Sequence, residues 1–156
     1  MSYRKYNLVT ITPTLYAAGA IDAGKILFDT VKLPNVCPRN GASLIRSITI
    51  LDKDLLDINV DIVFLKKSTS LGSLGVIPNI SDADAAATFQ GIITVPATTR
   101  DFGNASSLLT NLNTGLIVES DPDEADTGAI YIAGLAVGTE THTASGLTIN
   151  IGFEIP

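Results

Sequence analysis

The 156-residue chain contains no tryptophan, one cysteine and one histidine, and aromatic residues make up only 6% of it. Each shortage removes a class of function. With Cys37 alone, neither an intrachain disulfide nor a thiolate metal cluster can form. Few and scattered aromatics argue against a sugar platform or a base-stacking surface. Positive charge is scarce too: 10 Lys and Arg stand against 16 Asp and Glu, a net charge of −6. Nucleic-acid binding, which needs clustered cations against phosphates, is therefore not expected. No apolar run reaches the roughly 18 residues that a membrane-spanning helix needs. The opening Met1-Ser2-Tyr3-Arg4-Lys5-Tyr6-Asn7 has charge but no apolar stretch behind it, so the expectation is a soluble protein without a secretory signal, made in a cytoplasm. Phosphate-cradling loops are missing as well. Neither G-x-x-x-x-G-K-[ST] nor a strand followed by G-x-G-x-x-G occurs, and no cofactor or small-molecule substrate is expected.

What is present is apolar residue in short runs. Hydrophobic residues are 46% of the chain, broken at even intervals by Gly, Pro, Asn, Asp and Ser, the texture of a β-sandwich or barrel. Leu147, Ile149, Ile151 and Phe153 alternate with Thr148, Asn150, Gly152 and Glu154, so one face turns to a core and the other to water. Asp57 to Leu65 repeats the alternation and follows the β-branched run Ser43 to Leu51; the intervening Asp52-Lys53-Asp54 predicts a hairpin turn. Leu8 to Thr12, Lys25 to Val31, Gly91 to Val95 and Gly115 to Glu119 are further strand candidates. Ala129 to Val137 differs from these. Ile130, Ile132 and Ala136 share one face, while Ala129, Tyr131, Ala133, Leu135 and Val137 make the other face apolar too. Such a strand is either central in a layered sheet or placed at a subunit interface, and the small size of the domain favours the interface.

One short helix is predicted near residues 82–89. Ser81 caps it, Asp82 and Asp84 suit its positive end, and Ala83, Ala85, Ala86 and Ala87 are good helix formers. Ser68 to Pro78 and Ser120 to Gly128 read as long loops. The expected organisation is an N-terminal arm, residues 1–7, and a single β domain, residues 8–156.

Chemistry-bearing residues are sparse. His142, in Thr139-Glu140-Thr141-His142-Thr143, is the first to test for acid–base work, and Glu140 two positions away would share its face. No G-x-S-x-G elbow accompanies it, so the expected role is a solvent-facing loop histidine. Cys37, between Pro34 and Pro38 and near Arg39, lacks the base or helix start that would make a reactive thiolate, and a buried, inert cysteine is expected. Asp121, Asp123, Glu124 and Asp126 crowd one loop where a hard cation is an alternative to plain solvation, although the spacing is not that of an EF-hand. Asp52, Asp54, Asp57 and Asp61 are not expected to be catalytic, because Asp57 and Asp61 would share the outward face of one strand and general-acid work needs a desolvated carboxyl. Tyr3, Arg4, Lys5 and Tyr6 form a small basic, aromatic arm suited to docking on a partner. Asn79-Ile80-Ser81 and Asn104-Ala105-Ser106 match a glycosylation acceptor, of little meaning for a chain without a signal.

Four stretches carry a resemblance. Ile11-Thr12-Pro13-Thr14-Leu15-Tyr16-Ala17-Ala18-Gly19 leads into Gly24-Lys25-Ile26-Leu27. Gly41-Ala42-Ser43-Leu44-Ile45-Arg46-Ser47-Ile48-Thr49-Ile50-Leu51-Asp52-Lys53-Asp54 follows. Asn79-Ile80-Ser81-Asp82-Ala83-Asp84 comes next, and the last is Thr143-Ala144-Ser145-Gly146-Leu147-Thr148-Ile149-Asn150-Ile151-Gly152-Phe153. In this order they resemble, over nearly the whole chain, the capsid decoration (cement) proteins found among the head genes of tailed phages. The resemblance implies a jelly-roll-like β-sandwich and a homotrimer on the outer capsid surface of the virion. Its partner would be the major capsid protein, seated where capsid subunits meet and holding the expanded shell. The motifs are structural, and none transfers a site residue. A receptor- or glycan-binding sandwich of the fibre-head kind is the competing expectation; an enzyme would need a cleft with convergent polar groups.

Overall fold

The computed structural model describes residues 3–97, 100–102, 107–112, 114–123 and 128–156, with the side chains of residues 100 and 101 outside the description. Apolar alternation builds two antiparallel sheets. The first joins β1 (Lys5–Ile11), β10 (Leu147–Ile155), β3 (Ala42–Asp52), β7 (Ser107–Asn111) and β6 (Arg100–Asp101) in that order. Beside β7, β8 (Ile117–Glu119) pairs with the other end of the long β3. The second sheet runs β2 (Ile26–Leu33), β9 (Ile130–Ala136), β4 (Val60–Leu65) and β5 (Phe89–Val95). Partners are β1 with β10, β2 with β9, β3 with β7 and β8, and β4 with β5. The chain is thus a two-stranded ribbon, folded back between β4 and β5 and rolled so that successive strand pairs fall in alternate sheets. That is a jelly roll.

Between the sheets lies the core. Ile149, Ile151 and Phe153 of β10 and Ile45, Ile48 and Ile50 of β3 meet Phe28, Ile62, Phe64 and Ile132 of the second sheet. The alternation along β10 is the one expected from its sequence, since Thr148, Asn150 and Gly152 are only partly buried on the outer face. Gly134 of β9 lies on the core side, where an added Cβ would stand 2.1 Å from the Phe28 ring. Glycine there is what lets the fully buried Phe28 lie across β9. The helix α1 (Asp82–Thr88) forms as expected, with the Ser81 hydroxyl accepting from the Asp84 N–H at 3.1 Å.

Several expectations need correction. Asp52-Lys53-Asp54 does not close a hairpin, because β3 and β4 belong to different sheets. The buried Asp52 carboxylate instead accepts from the N–H groups of Asp54, Leu56 and Asp57 at 3.0, 2.8 and 3.2 Å. It wraps the backbone into a corner in which Leu55 and Asp57 take positive φ, 56° and 53°. Asp57 is therefore in that corner and does not share a strand face with Asp61. The boundary expected at residue 8 falls inside β1, whose first residues Lys5, Tyr6 and Asn7 pair with Ile155, Glu154 and Phe153. The strands β6 and β7 were not expected at all. Ser107-Leu108-Leu109-Thr110-Asn111 is short and half polar, and its register is imposed by β3.

The outer face of β9 has a cover of its own. Tyr131 and Ala133 pack with Ile26, Val63, Leu65 and Leu71 in a second apolar cluster, flanked by Leu74, Ile80 and Leu135. Leu71, Leu74 and Ile80 come from the loop between β4 and β5, which lies over the second sheet. Ala129, Tyr131 and Ala133, expected at a subunit interface, are 0%, 4% and 0% exposed within the single chain; Leu135 and Val137 stay partly exposed. The reason is the loop's polar fastening. The Asp29 carboxylate accepts from the Ser70 hydroxyl at 2.5 Å and the Leu71 N–H at 2.9 Å. Thr30 donates to the Thr69 carbonyl at 2.6 Å, and the Ile26 N–H donates to Val76 at 2.9 Å.

Candidate interaction surface

Opposite the covered face, at the edge of the first sheet, apolar side chains are left bare. The inward residues of β1, Val9 and Ile11, pack on the core. Its outward residues include Tyr6 and Leu8, each 66% exposed, and Tyr3 just before the strand is 83% exposed. Along the side of β1 away from β10, no strand pairs among the described residues. Such an edge offers backbone donors and acceptors to an added chain, and tyrosine is favoured at interface centres.

This edge is held in place by charge. In β3, Gly152 of β10 faces Ser47 while Phe153 faces Ile45, so Arg46 is the extra residue of a bulge and turns outward. There it meets the carboxylate of Glu154, which also takes the Arg4 guanidinium at 2.7 Å. Glu154 is nearly buried, its side chain only 9% exposed, so it relies on both arginines to offset its desolvation. Arg4 thereby fixes the start of the chain beside β10. Of the four arm residues, Arg4 is committed to this pairing, whereas Tyr3, Lys5 and Tyr6 face solvent. A pocket lined by Arg4, Ser43, Leu44, Ile117, Glu154 and Pro156 opens at the same end. The bulge is the signal that sequence reading missed. Its trace is the pair Arg46-Ser47 between inward Ile45 and Ile48, a break in strict alternation.

A second apolar surface lies on the second sheet. On the edge strand β5, Phe89 and Ile92 are 42% and 59% exposed, and with Val63, Leu71, Pro78 and Ile80 they line a depression beside the loop cover.

The remaining candidates separate. His142 is not solvent-facing but 4% exposed, with Nε2 3.4 Å from Glu140 Oε1 and Nδ1 3.7 Å from Asp54 Oδ2. Sequence reading paired His142 with Glu140 but missed Asp54, which arrives from the β3–β4 corner. Cys37 is buried as expected, its Sγ 3.6 Å from the Val118 carbonyl, and burial pushes its thiol above the ordinary range. Asp121 accepts from the Asp123 N–H at 3.0 Å, and Asp123 pairs with Lys67 at 3.3 Å. Glu124, Asp126 and the Asn104-Ala105-Ser106 acceptor lie outside the described residues. Among those described, no group of three or more His, Cys, Asp or Glu is placed to hold a metal, and no helix is long and apolar enough to cross a membrane.

Fold and surface together define an all-β jelly-roll sandwich with one face covered by its own loop and with exposed apolar side chains along the β1 edge. No protein-family model and no curated protein matches the sequence. Among solved structures, a chain of the cyanophage Pam1 capsid asymmetric unit is similar over 99% of this chain and 84% of that one, at 14% identity and a TM-score of 0.29. A score that low carries no argument about shared fold or role.

Proposed function

We propose that the chain is a structural subunit of a tailed-phage head. It would bind the outer shell as a trimeric decoration protein, with the major capsid protein as partner and no chemistry of its own. Supporting this reading are the resemblance that runs from Ile11 to Phe153 and the jelly-roll topology that the resemblance implies. The observation that carries it furthest is the open β1 edge, where Tyr6 and Leu8 on the strand and Tyr3 just before it stand exposed, the start of the strand being fixed by the Arg4–Glu154 pair. Aromatic anchors on a rigid element are what a docking surface uses, and three copies multiply modest contacts.

The test is binding to purified expanded heads of the encoding phage, with an unrelated acidic protein as control. The reading predicts saturable binding at a fixed number of copies per head, and a trimer by light scattering at micromolar concentration. Binding no better than the control would overturn the decoration role, and a strict monomer both free and on the head would overturn the trimer.

A further inference from the structure

At the end of the first sheet where Arg4 is anchored, outward side chains form a row that crosses four strands. Tyr6 of β1 stands opposite Glu154 of β10, Glu154 opposite Leu44 of β3, and Leu44 opposite Ile117 of β8. Neighbouring strands lie about 4.8 Å apart, so the row is about 14 Å long. Leu44 is half-buried between the buried, inward Ser43 and Ile45. Ile117 is 64% exposed, nearly as bare as Tyr6 at the other end of the row. The pocket beside Arg4 lies along this row, with Glu154, Leu44 and Ile117 in its lining.

Charge is unbalanced in the middle of the row. The ion pairs of Lys25 with Asp22, Lys66 with Glu119 and Lys67 with Asp123 are one to one, at 2.7, 2.8 and 3.3 Å. Here two guanidiniums, Arg4 and Arg46, share the single carboxylate of Glu154, which leaves one positive charge over. Both arginine side chains are more than half exposed, whereas Glu154 lies nearly buried beneath them. A guanidinium has five N–H donors. Arg4 turns Nη1 to Glu154, and Arg46 turns Nε and Nη2, so both keep donors for a second carboxylate. Glu119, further along β8, is already matched by Lys66. In a chain of net charge −6 this is a local excess of positive charge between apolar side chains.

We infer that the row is a groove for an extended segment that carries a carboxylate between two apolar side chains and lies across the strands of the first sheet. Side chains on one face of an extended chain repeat about every 6.6 Å, so residues i, i+2 and i+4 span about 13 Å, close to the length of the row. Apolar residues at i and i+4 rest on Tyr6 at one end and on Leu44 and Ile117 at the other, and the acid at i+2 meets Arg4 and Arg46. Charge-assisted bonds to the two arginines fix the register of the segment, and its apolar ends contribute the buried area. On the decoration reading proposed above, the segment belongs to the major capsid protein.

The test compares Ile117→Glu with Ile117→Lys for binding to purified expanded heads. Both variants remove the apolar lip of the groove, and they differ in the charge they add. The expected result is a loss of affinity about fivefold or more greater for Ile117→Glu than for Ile117→Lys at low salt. That gap should narrow at about 1 M salt, where the screening length falls to about 3 Å. Urea unfolding should match the natural chain for both; should either variant not fold, Tyr6→Glu and Tyr6→Lys make the same comparison from the other end of the row. Equal losses, or a greater loss with lysine, would show that the occupant is not acidic and overturn the inference. So would unaltered binding by both variants, which would leave the groove unused on the head. Loss of self-association by either variant would assign the groove to a second copy and overturn it too. In each of these cases the natural chain still binds heads; absence of binding by the natural chain overturns the decoration role itself, and the groove's assignment with it.

Discussion

Among the surfaces outside the main core that carry apolar side chains, the outer face of β9 and the outward side of β1 meet different fates. The outer face of β9 is sealed by the chain's own loop, fastened through Asp29, Thr30 and Ile26. The outward side of β1 has Tyr3, Tyr6 and Leu8 bare. Apolar residues on a strand's second face therefore signal that something covers them, without saying whether the cover is the same chain. Here Ala129, Tyr131 and Ala133, expected at a subunit interface, are covered within the single chain, whereas the side chains proposed for docking stand bare at the edge of the first sheet.

The largest effect should come from opening the covered face. Leu71, 1% exposed, is the apolar plug of the loop. Leu71→Ala is expected to cost about 3 kcal/mol of stability in urea unfolding, and a loss under about 1 kcal/mol would mean that the loop is not a true cover. Next is the fastening. Burial pulls the Asp29 carboxyl upward, but hydrogen bonds from Ser70, Leu71 and Thr30 outweigh it and hold it below the usual carboxylate range. Its stabilisation is therefore present above the ordinary aspartate range and fades as pH falls through the depressed value. Asp29→Asn should cost about 1 kcal/mol at neutral pH, and the gap between variant and natural chain should close in acid. A gap that widens in acid would contradict this. The smallest effect is expected at the open edge. The double variant Tyr3→Ala/Tyr6→Ala should change unfolding free energy by no more than about 0.5 kcal/mol, and a larger loss would show that the edge is packed in the free chain.

Strand identity was legible where one face meets water. The alternation of Leu147 to Phe153 places β10 correctly, and Ser81 with Asp84 places the helix. Legibility ended where tertiary contacts decide. Asp52 looks like a turn residue in either a hairpin or a sheet-to-sheet corner, and its three N–H partners appear only in the fold. His142 sits among Thr, Glu and Ser, a polar neighbourhood that suggests solvent, yet it is buried, with Asp54 from 88 residues away 3.7 Å from its Nδ1. Arg46 faces outward because of a bulge that local propensity does not reveal, and with it goes the anchoring of Arg4 through Glu154.

The most direct test of the account is the occupancy of expanded heads by Tyr3→Ala/Tyr6→Ala, measured beside Leu135→Ala/Val137→Ala on the partly exposed margin of the covered face. The account predicts that the edge variant loses affinity about tenfold or more with its unfolding curve unchanged, while the margin variant binds as the natural chain does. Normal binding by the edge variant together with weakened binding by the margin variant would contradict it.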